Sequence, residues 1–275
     1  MTARARQGPA DGNGSGNRGG RRLRTVNNAL GLLHVLTESG TSMGVSELAS
    51  RMSLGKSTVH LLLQTLCDGG FTEAEDGGRR YRLGLGAFEV GAAALEHLKL
   101  GSHLDPPMER LAGLSKEAVS LAIRSDRYAV IVKRFESTQI LRAEIRLGTR
   151  MLLHSSASGK CLIGELTRQE IDELYPDDQL PQVTPRTIKA KAALLRELEQ
   201  TRRRGYAFNV DEFTVGVAAV AVPVRDKNGK VQAGLSIAGP TARFDALQWL
   251  ETLQDTADEM SHGIGLYARG SDMRR

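Results

Sequence analysis

Apolar and polar positions fall into two patterns along this chain. Up to about residue 99, apolar residues recur three and four apart, the spacing of one face of an α-helix. Leu48, Ala49 and Met52 form one stripe, and Val59, Leu62, Leu63 and Leu66 form a second. Between them, Ser53-Leu54-Gly55 has room only for a tight helix-to-helix turn, with Leu54 plugging the corner. Upstream, Val26, Ala29, Leu30, Leu33 and Leu36 mark a helix that closes a three-helix core. Downstream, Phe71 to Leu83 reads as a hairpin around Asp76-Gly77-Gly78, where Asp-Gly and Gly-Gly supply positive φ.

From Gly101 onward, helical and strand patterns mix. Gly84 to Lys99 reads as a connecting helix with Leu85, Phe88, Ala92 and Leu95 on one face, and Pro106 to Leu114 as the next helix. Ala118 to Ile123 and Tyr128 to Arg134 are expected strands turning at Ser125-Asp126, with a third from Ile140 to Ile145. Ser155 to Leu166 is a helix entered through small residues, and Lys189 to Arg204 a charged helix ending at Gly205. Strands follow at Tyr206 to Glu212, Val217 to Val224 and Val231 to Ile237, the last two joined by a turn at Asp226-Lys227-Asn228-Gly229. Phe244 to Leu266 closes the chain as a helix. This order predicts an α+β architecture with an antiparallel sheet covered by helices.

The first half carries the clearest chemistry. Its second stripe belongs to a helix that opens with Lys56, Ser57 and Thr58 and shows His60, Leu61 and Gln64 off the apolar side. A helix with an apolar back and short donors and a cation at its N-terminus fits the major groove of B-DNA. The hairpin puts Arg79 and Arg80 at its tip, where they reach a phosphate or an adjacent minor groove. Three helices and a basic wing in this order point to duplex DNA rather than to a generic helical hairpin. Gly55-Lys56-Ser57 imitates the end of a phosphate loop, but Ser50 stands where that loop needs its first glycine, and Glu47-Leu48-Ala49 is helical in pattern.

Charge sharpens the picture. The net charge is +5, and residues 1 to 24 hold six arginines against Asp11, so this arm accounts for all of it; the remaining 31 basic residues balance 31 acidic ones. The arm is glycine-rich and nearly free of apolar residues, so it is expected to be disordered when free. It is either a solubilising tail or a source of salt-dependent, sequence-independent DNA affinity, with Arg21, Arg22 and Arg24 nearest the reader. A chain of 275 residues accommodates about two domains. No apolar run reaches membrane-spanning length, and the N-terminus lacks the apolar core of a secretory signal. Cys67 and Cys161 lie far apart, Cys67 reads as a small buried hydrophobe, and no Cys/His spacing suits zinc. A reduced, cytoplasmic protein with no metal and no cofactor is the expectation.

With these elements in place, the chain resembles the IclR family of bacterial transcriptional regulators over about residues 23 to 265. The matching pieces are Gly55-Lys56-Ser57-Thr58-Val59-His60, Tyr81-Arg82-Leu83-Gly84, and Leu147-Gly148 followed by Ser156-Ala157-Ser158-Gly159-Lys160. Further on come Thr184-Pro185-Arg186-Thr187, Gly205-Tyr206-Ala207 with Glu212 and Gly216, Pro223-Val224, and Ser236-Ile237-Ala238-Gly239-Pro240. The resemblance implies an N-terminal winged helix-turn-helix joined by a linker helix to a GAF-like effector-binding domain. The boundaries are then a basic arm at 1–22, the winged helix at 23–83, the linker at 84–100, the effector-binding domain at 101–268 and a tail at 269–275. It also implies a homodimer paired through the DNA-binding part, or a homotetramer, on a pseudo-palindromic operator.

For the effector, the residues themselves leave two readings open. Ser158 and Gly159 opening a helix beside the sheet offer backbone N–H groups to a carboxylate, or serve tight helix–sheet packing alone. The resemblance favours the first, and its ligand positions fall on Ala157, Ser158, Asn209, Ala219, Ser236 and Ala238. Three depart from the pattern of acid-binding relatives, where an acidic residue is common in place of Asn209, a Cys in place of Ala219 and a Ser in place of Ala238. The effector is therefore expected to be less polar, or larger, than a two- or three-carbon keto acid: an organic acid or an aromatic catabolite. Leu61 also departs, standing where relatives often carry Arg; Arg21, Arg22 and Arg24 are expected to compensate.

Two other classes compete with a regulator, expected to act as a repressor. A ligand-binding module with vestigial DNA binding would bind effector and protect no operator. An enzyme would use His154, Ser155, Ser158, Lys160 and Cys161, which crowd one segment. On a helix, however, Ser158 and Lys160 point in different directions, and Lys160 is better read as a partner for Glu212 or Asp211. No catalytic residue is expected.

Overall fold

The computed structural model describes residues 23–97, 102–142 and 145–261. The expected arm at 1–22, with Arg21 and Arg22, the end of the linker at 98–100 and the tail lie outside them. The chain divides into two compact units between Leu83 and Gly84.

The first unit has three helices, α1 (Arg24–Ser39), α2 (Val45–Met52) and α3 (Lys56–Asp68), and three strands, β1 (Met43–Gly44), β2 (Thr72–Glu75) and β3 (Arg80–Leu83). Its core gathers Leu32, Leu36, Met43, Leu48, Val59, Leu62, Leu63 and Tyr81. The stripe expected on α1 is displaced: Leu32 and Leu36 are buried, whereas Val26 and Leu30 are 51% and 52% exposed. The helix carries two apolar lines, and only the one through Leu32 and Leu36 faces α2 and α3. The corner between α2 and α3 is made by Ser53 at φ 53°, followed by the Leu54 N–H donating to the Ala49 carbonyl, and Leu54 packs at the margin of the core as expected. The wing turns through Asp76, Gly77 and Gly78, all at positive φ, a conformation two of the three adopt without a Cβ penalty. β1 is not evident in the sequence: two residues between α1 and α2 are too short for any periodicity. It pairs antiparallel with β3, with Met43 opposite Tyr81.

The second unit begins with α4 (Leu85–His97) and α5 (Asp105–Ser115). Then come β4 (Ala118–Ser125), β5 (Tyr128–Phe135), β6 (Arg150–Leu152), α6 (Ala157–Ile163), α7 (Arg168–Leu174) and α8 (Lys191–Arg204). It ends with β7 (Ala207–Val210), β8 (Val217–Arg225), β9 (Val231–Pro240) and α9 (Leu250–Ser261). The six strands form one antiparallel sheet in the order β6-β5-β4-β9-β8-β7. α5 and α9 cover one face; α6 lies on the other, with α7 and α8 in the core beside it. The third expected strand is misplaced. Among its described residues Ile140 and Leu141 are exposed and unpaired with the sheet, and Arg150–Leu152 takes that place beside β5. The apolar pair suggests a strand, but chain geometry brings the segment after Gly148 back to the sheet instead. α7 is an addition to the expected elements, although Thr167 and Glu170 form a capping box, a signature legible in Thr-x-x-Glu. On α4, Leu85 and Phe88 are exposed; the Leu95 side chain lies outside the described residues.

Side-chain size separates the two faces of the sheet. Val119, Leu121, Val220, Val222, Val224, Leu235 and Ile237 point toward α5 and α9 and fill the larger core. The alternate positions, Ala118, Ser120, Ala122, Ala219, Ala221, Gly234, Ser236 and Ala238, belong by the period of two to the face under α6. Large aliphatics fill one side, and the small residues on the other leave room for a cleft.

Candidate functional site

Two surfaces concentrate the residues singled out in the sequence. The first is the outward face of α3. Burial of Val59, Leu62 and Leu63 leaves Lys56, Ser57, Thr58, His60, Leu61 and Gln64 exposed on the other side. Gly55 caps the helix from an extended conformation, so Lys56 is its first residue and Ser57 and Thr58 complete the opening turn. Of the two arginines expected at the wing's tip, Arg79 lies in the turn and Arg80 in the strand that follows it. Arg79 Nε donates to the Asp76 carbonyl at 3.2 Å. Arg80 is the first residue of β3, and its guanidinium holds Ser42 through both the hydroxyl and the carbonyl oxygen. Arg80 thus ties the wing to the segment before β1, while staying exposed. Arg24, at the start of α1, is also exposed.

The second is a cleft under α6. Six of the seven positions marked for the effector line it: Ala157, Ser158, Asn209, Ala219, Ser236 and Ala238. The register explains why residues so distant in sequence meet. Asn209 pairs with Ala219 and Ala219 with Ala238, placing β7, β8 and β9 side by side, and Ser120 pairs with Ser236 one step along the same face. The seventh, Gly159, does something else. A Cβ there would come within 2.3 Å of the Leu153 carbonyl oxygen, so this glycine permits a backbone approach. Its N–H is taken by the Ser156 hydroxyl at 3.2 Å and is not bare. Gly234 plays the matching part on β9, where a Cβ would meet the Ser158 backbone at 3.0 Å. Gly159 packs against the Leu153 backbone, while Ala157 and Ser158 line the cleft.

The cleft is partly open to solvent, and its enclosed volume is small, about 20 Å³. Its remaining walls are Ser120, Ile131, Ile145, Met151, Ser156, Phe213, Thr214 and Val217, none of which the sequence marks. Ser120 is within reach of sequence reasoning, since it shares the small-residue alternation of β4 with Ala118 and Ala122. Phe213 and Thr214 come from a loop whose path no local pattern dictates. Among the described residues the lining carries no ionisable side chain.

That loop is pinned from three sides. Thr184 and Thr187 donate their hydroxyls to the main-chain carbonyls of Asp211 and Glu212, each at 2.6 Å. Asn209 Oδ1 accepts the Glu212 N–H at 2.9 Å. Lys160, 1% exposed, sends its Nζ to Glu212 Oε1 at 2.6 Å and to the Phe208 carbonyl at 2.8 Å. The Thr184-Pro185-Arg186-Thr187 motif is therefore a latch on the cleft's covering loop. The two neighbouring carboxylates of that loop shift in opposite directions. Burial raises Glu212, against the pull of Lys160. Hydrogen bonds from Thr241 and the Gly216 N–H lower Asp211.

The side chains weighed as an enzyme site do not assemble. Cys161 gives its thiol proton to the Ala221 carbonyl, and burial pushes it up to about 12, so no thiolate forms near neutral pH. His154 is fully buried with Nε2 on the Pro181 carbonyl at 2.8 Å, and burial lowers it. Ser155 donates to the Leu152 carbonyl. Cys67 is half-buried, its sulfur 3.2 Å from the Thr72 hydroxyl.

A winged helix-turn-helix in one unit and a small-molecule cleft in the other define a ligand-responsive DNA-binding regulator. Comparison with known proteins gives the family. Residues 25–76 match the IclR helix-turn-helix domain, and residues 92–262 match the bacterial transcriptional regulator IclR C-terminal domain. The chain belongs to the IclR family of bacterial transcriptional regulators. It is 34% identical over 242 residues to the HTH-type transcriptional repressor AllR of Escherichia coli strain K12, covering 87% of this chain and 89% of that one. Its fold is similar to the crystal structure of an IclR transcriptional regulator from Alicyclobacillus acidocaldarius (TM-score 0.75, 23% identity, 89% of this chain and 100% of that one). It is also similar to an IclR homolog from Microbacterium hydrocarbonoxydans complexed with 4-hydroxybenzoate (TM-score 0.71, 24% identity, 87% and 98% of the two chains). The protein is a DNA-binding transcriptional regulator modulated by an effector.

Proposed function

We propose that this regulator is a cytoplasmic repressor that binds a pseudo-palindromic operator as a homodimer or homotetramer and answers to an aromatic or similarly apolar organic acid. Lys56, Ser57, Thr58, His60 and Gln64 face bases and phosphates, Arg79 and Arg80 anchor the wing, and Arg21, Arg22 and Arg24 add phosphate contacts. Two reading helices lie about one helical turn, ~34 Å, or a multiple apart. The effector's body fills the cleft against Ile131, Met151 and Phe213. Its acidic group meets the Ser158 and Ser236 hydroxyls and the Ala157 and Ser158 N–H groups that open α6. The single observation that carries this reading is the cleft wall: small and apolar, with hydroxyls and an amide but no ionisable side chain among the described residues. Such a wall favours an effector with apolar surface over glyoxylate or pyruvate, and 4-hydroxybenzoate, bound by a relative of the same fold, has that chemistry. In this proposal the cleft binds an effector and carries no catalytic step.

Effector binding shifts operator affinity only by its differential affinity for the two arrangements of the oligomer. A coupling of ~1–3 kcal/mol gives roughly 5- to 150-fold control. Calorimetry of the full-length protein with 4-hydroxybenzoate, glyoxylate and pyruvate tests the assignment. Tighter binding of the aromatic acid is the expected outcome; tight binding of either keto acid with none of the aromatic acid overturns it.

A further inference from the structure

We propose that Leu61 reads a thymine, by packing against its C5-methyl group in the major groove of the operator. The inference rests on α3 being the groove-entering helix and assigns a role to the one large apolar side chain on its outward face. Val59, Leu62 and Leu63 define the buried side of α3. At about 100° per residue, Leu61 stands roughly 200° round from Val59, close to the middle of the opposite side. It is 65% exposed, with exposed Ser57 one turn before it and exposed Gln64 and Thr65 one turn after. The Thr65 hydroxyl donates to the Leu61 carbonyl at 2.9 Å, so its proton is engaged by the helix backbone.

A lone exposed leucine on a protein surface is ordinary. This one is set apart by its surroundings, a face whose other side chains are hydrogen-bonding groups aimed at base edges. An isobutyl group pressed against the acceptors of guanine or the amino groups of adenine and cytosine removes water and returns no hydrogen bond. The major-groove edge has one apolar feature, the thymine methyl. Leu61 therefore favours thymine at the base pair it faces, where a guanidinium at the same place would favour guanine.

The test begins with selection of binding sites by the full-length protein from a pool of random duplexes. Each thymine of the selected sequence is then replaced singly by deoxyuridine, which deletes the methyl and leaves every hydrogen-bonding group. At one or two thymines per half-site the wild-type protein is expected to bind about fourfold more weakly, the size expected for burying one methyl group. L61A is expected to bind the thymine and deoxyuridine forms alike there while keeping its melting temperature, and L61R to shift the selected base toward guanine. Wild-type binding indifferent to every replacement overturns the proposal, as does L61A that keeps the wild-type sensitivity. Both results leave α3 as the reading helix. If selection enriches no sequence, that reading falls and the assignment of Leu61 falls with it.

Discussion

α3 and α6 both carry the step Gly-Lys among small polar residues, Gly55-Lys56-Ser57 in one and Ser158-Gly159-Lys160 in the other, and they put it to opposite uses. In α3 the glycine caps the helix from outside and the lysine is its first residue, open to solvent. In α6 the glycine is the third helical residue, pressed on the Leu153 backbone, and the lysine is buried on Glu212. α3 exposes a whole face; α6 exposes none, since all seven of its residues are buried between the sheet and its neighbours. The dipeptide has no meaning of its own. The layer in which the helix lies decides whether its cation faces solvent or holds a loop.

The largest separation between the two lysines is expected in stability. Lys160→Met leaves the Glu212 carboxylate buried with its cation gone, a loss of about 3–5 kcal/mol, read as a lower melting temperature. The pH dependence has a definite sign. A carboxyl whose folded pKa lies above its unfolded one contributes stability that is complete below the unfolded value and lost as pH rises through the folded one. Glu212 is already raised by burial, and removing Lys160 raises it further. The penalty of Lys160→Met is therefore greatest near neutral pH and shrinks on acidification; a penalty that grows toward acid contradicts the buried pair.

The glycines separate next. Gly159→Ala drives a Cβ to 2.3 Å from a main-chain oxygen that cannot turn aside, so about 3 kcal/mol or more of stability disappears. The equivalent Cβ at Gly55 meets only the Ser57 and Thr58 side-chain oxygens at 3.9 Å, so Gly55→Ala changes stability by no more than about 1 kcal/mol. Equal melting temperatures for the two variants would remove the packing role assigned to Gly159.

The smallest effects on the fold belong to the cations proposed to face DNA. Lys56→Ala, and deletion of residues 1–20 with Arg4, Arg6 and Arg18, are expected to leave the melting temperature in place. Both weaken operator binding and flatten its salt dependence, by about 0.9 in the log–log slope for each phosphate no longer neutralised. An unchanged slope for the truncated protein means the arm adds nothing to DNA affinity.

Where sequence reading succeeds and fails follows one rule. It finds α3, the wing turn and the Gly205 helix end because each is written in neighbouring residues: an apolar stripe, consecutive positive-φ formers, and a glycine closing a helix at φ 78°. It finds six cleft positions through the resemblance to relatives, since no periodicity joins Ala157 to Asn209 and Ala238. It misses β1 and places a strand at 140–145 because pairing partners are chosen by the rest of the sheet. It puts both arginines at the wing's tip and misses the bond from Arg80 to Ser42, which nothing local announces.

Most helices, the tight turns and the gathering of excess cationic charge at one end are legible in the chain, because each is a property of residues near one another in sequence. The assembled fold selects which apolar line of α1 faces inward, gives Gly159 to packing while Ser158 borders the cleft, and sets Thr184, Thr187 and Lys160 to hold the covering loop. Those outcomes depend on which backbones and side chains from distant segments compete for the same few ångströms, and that competition is settled only once the sheet has brought them together.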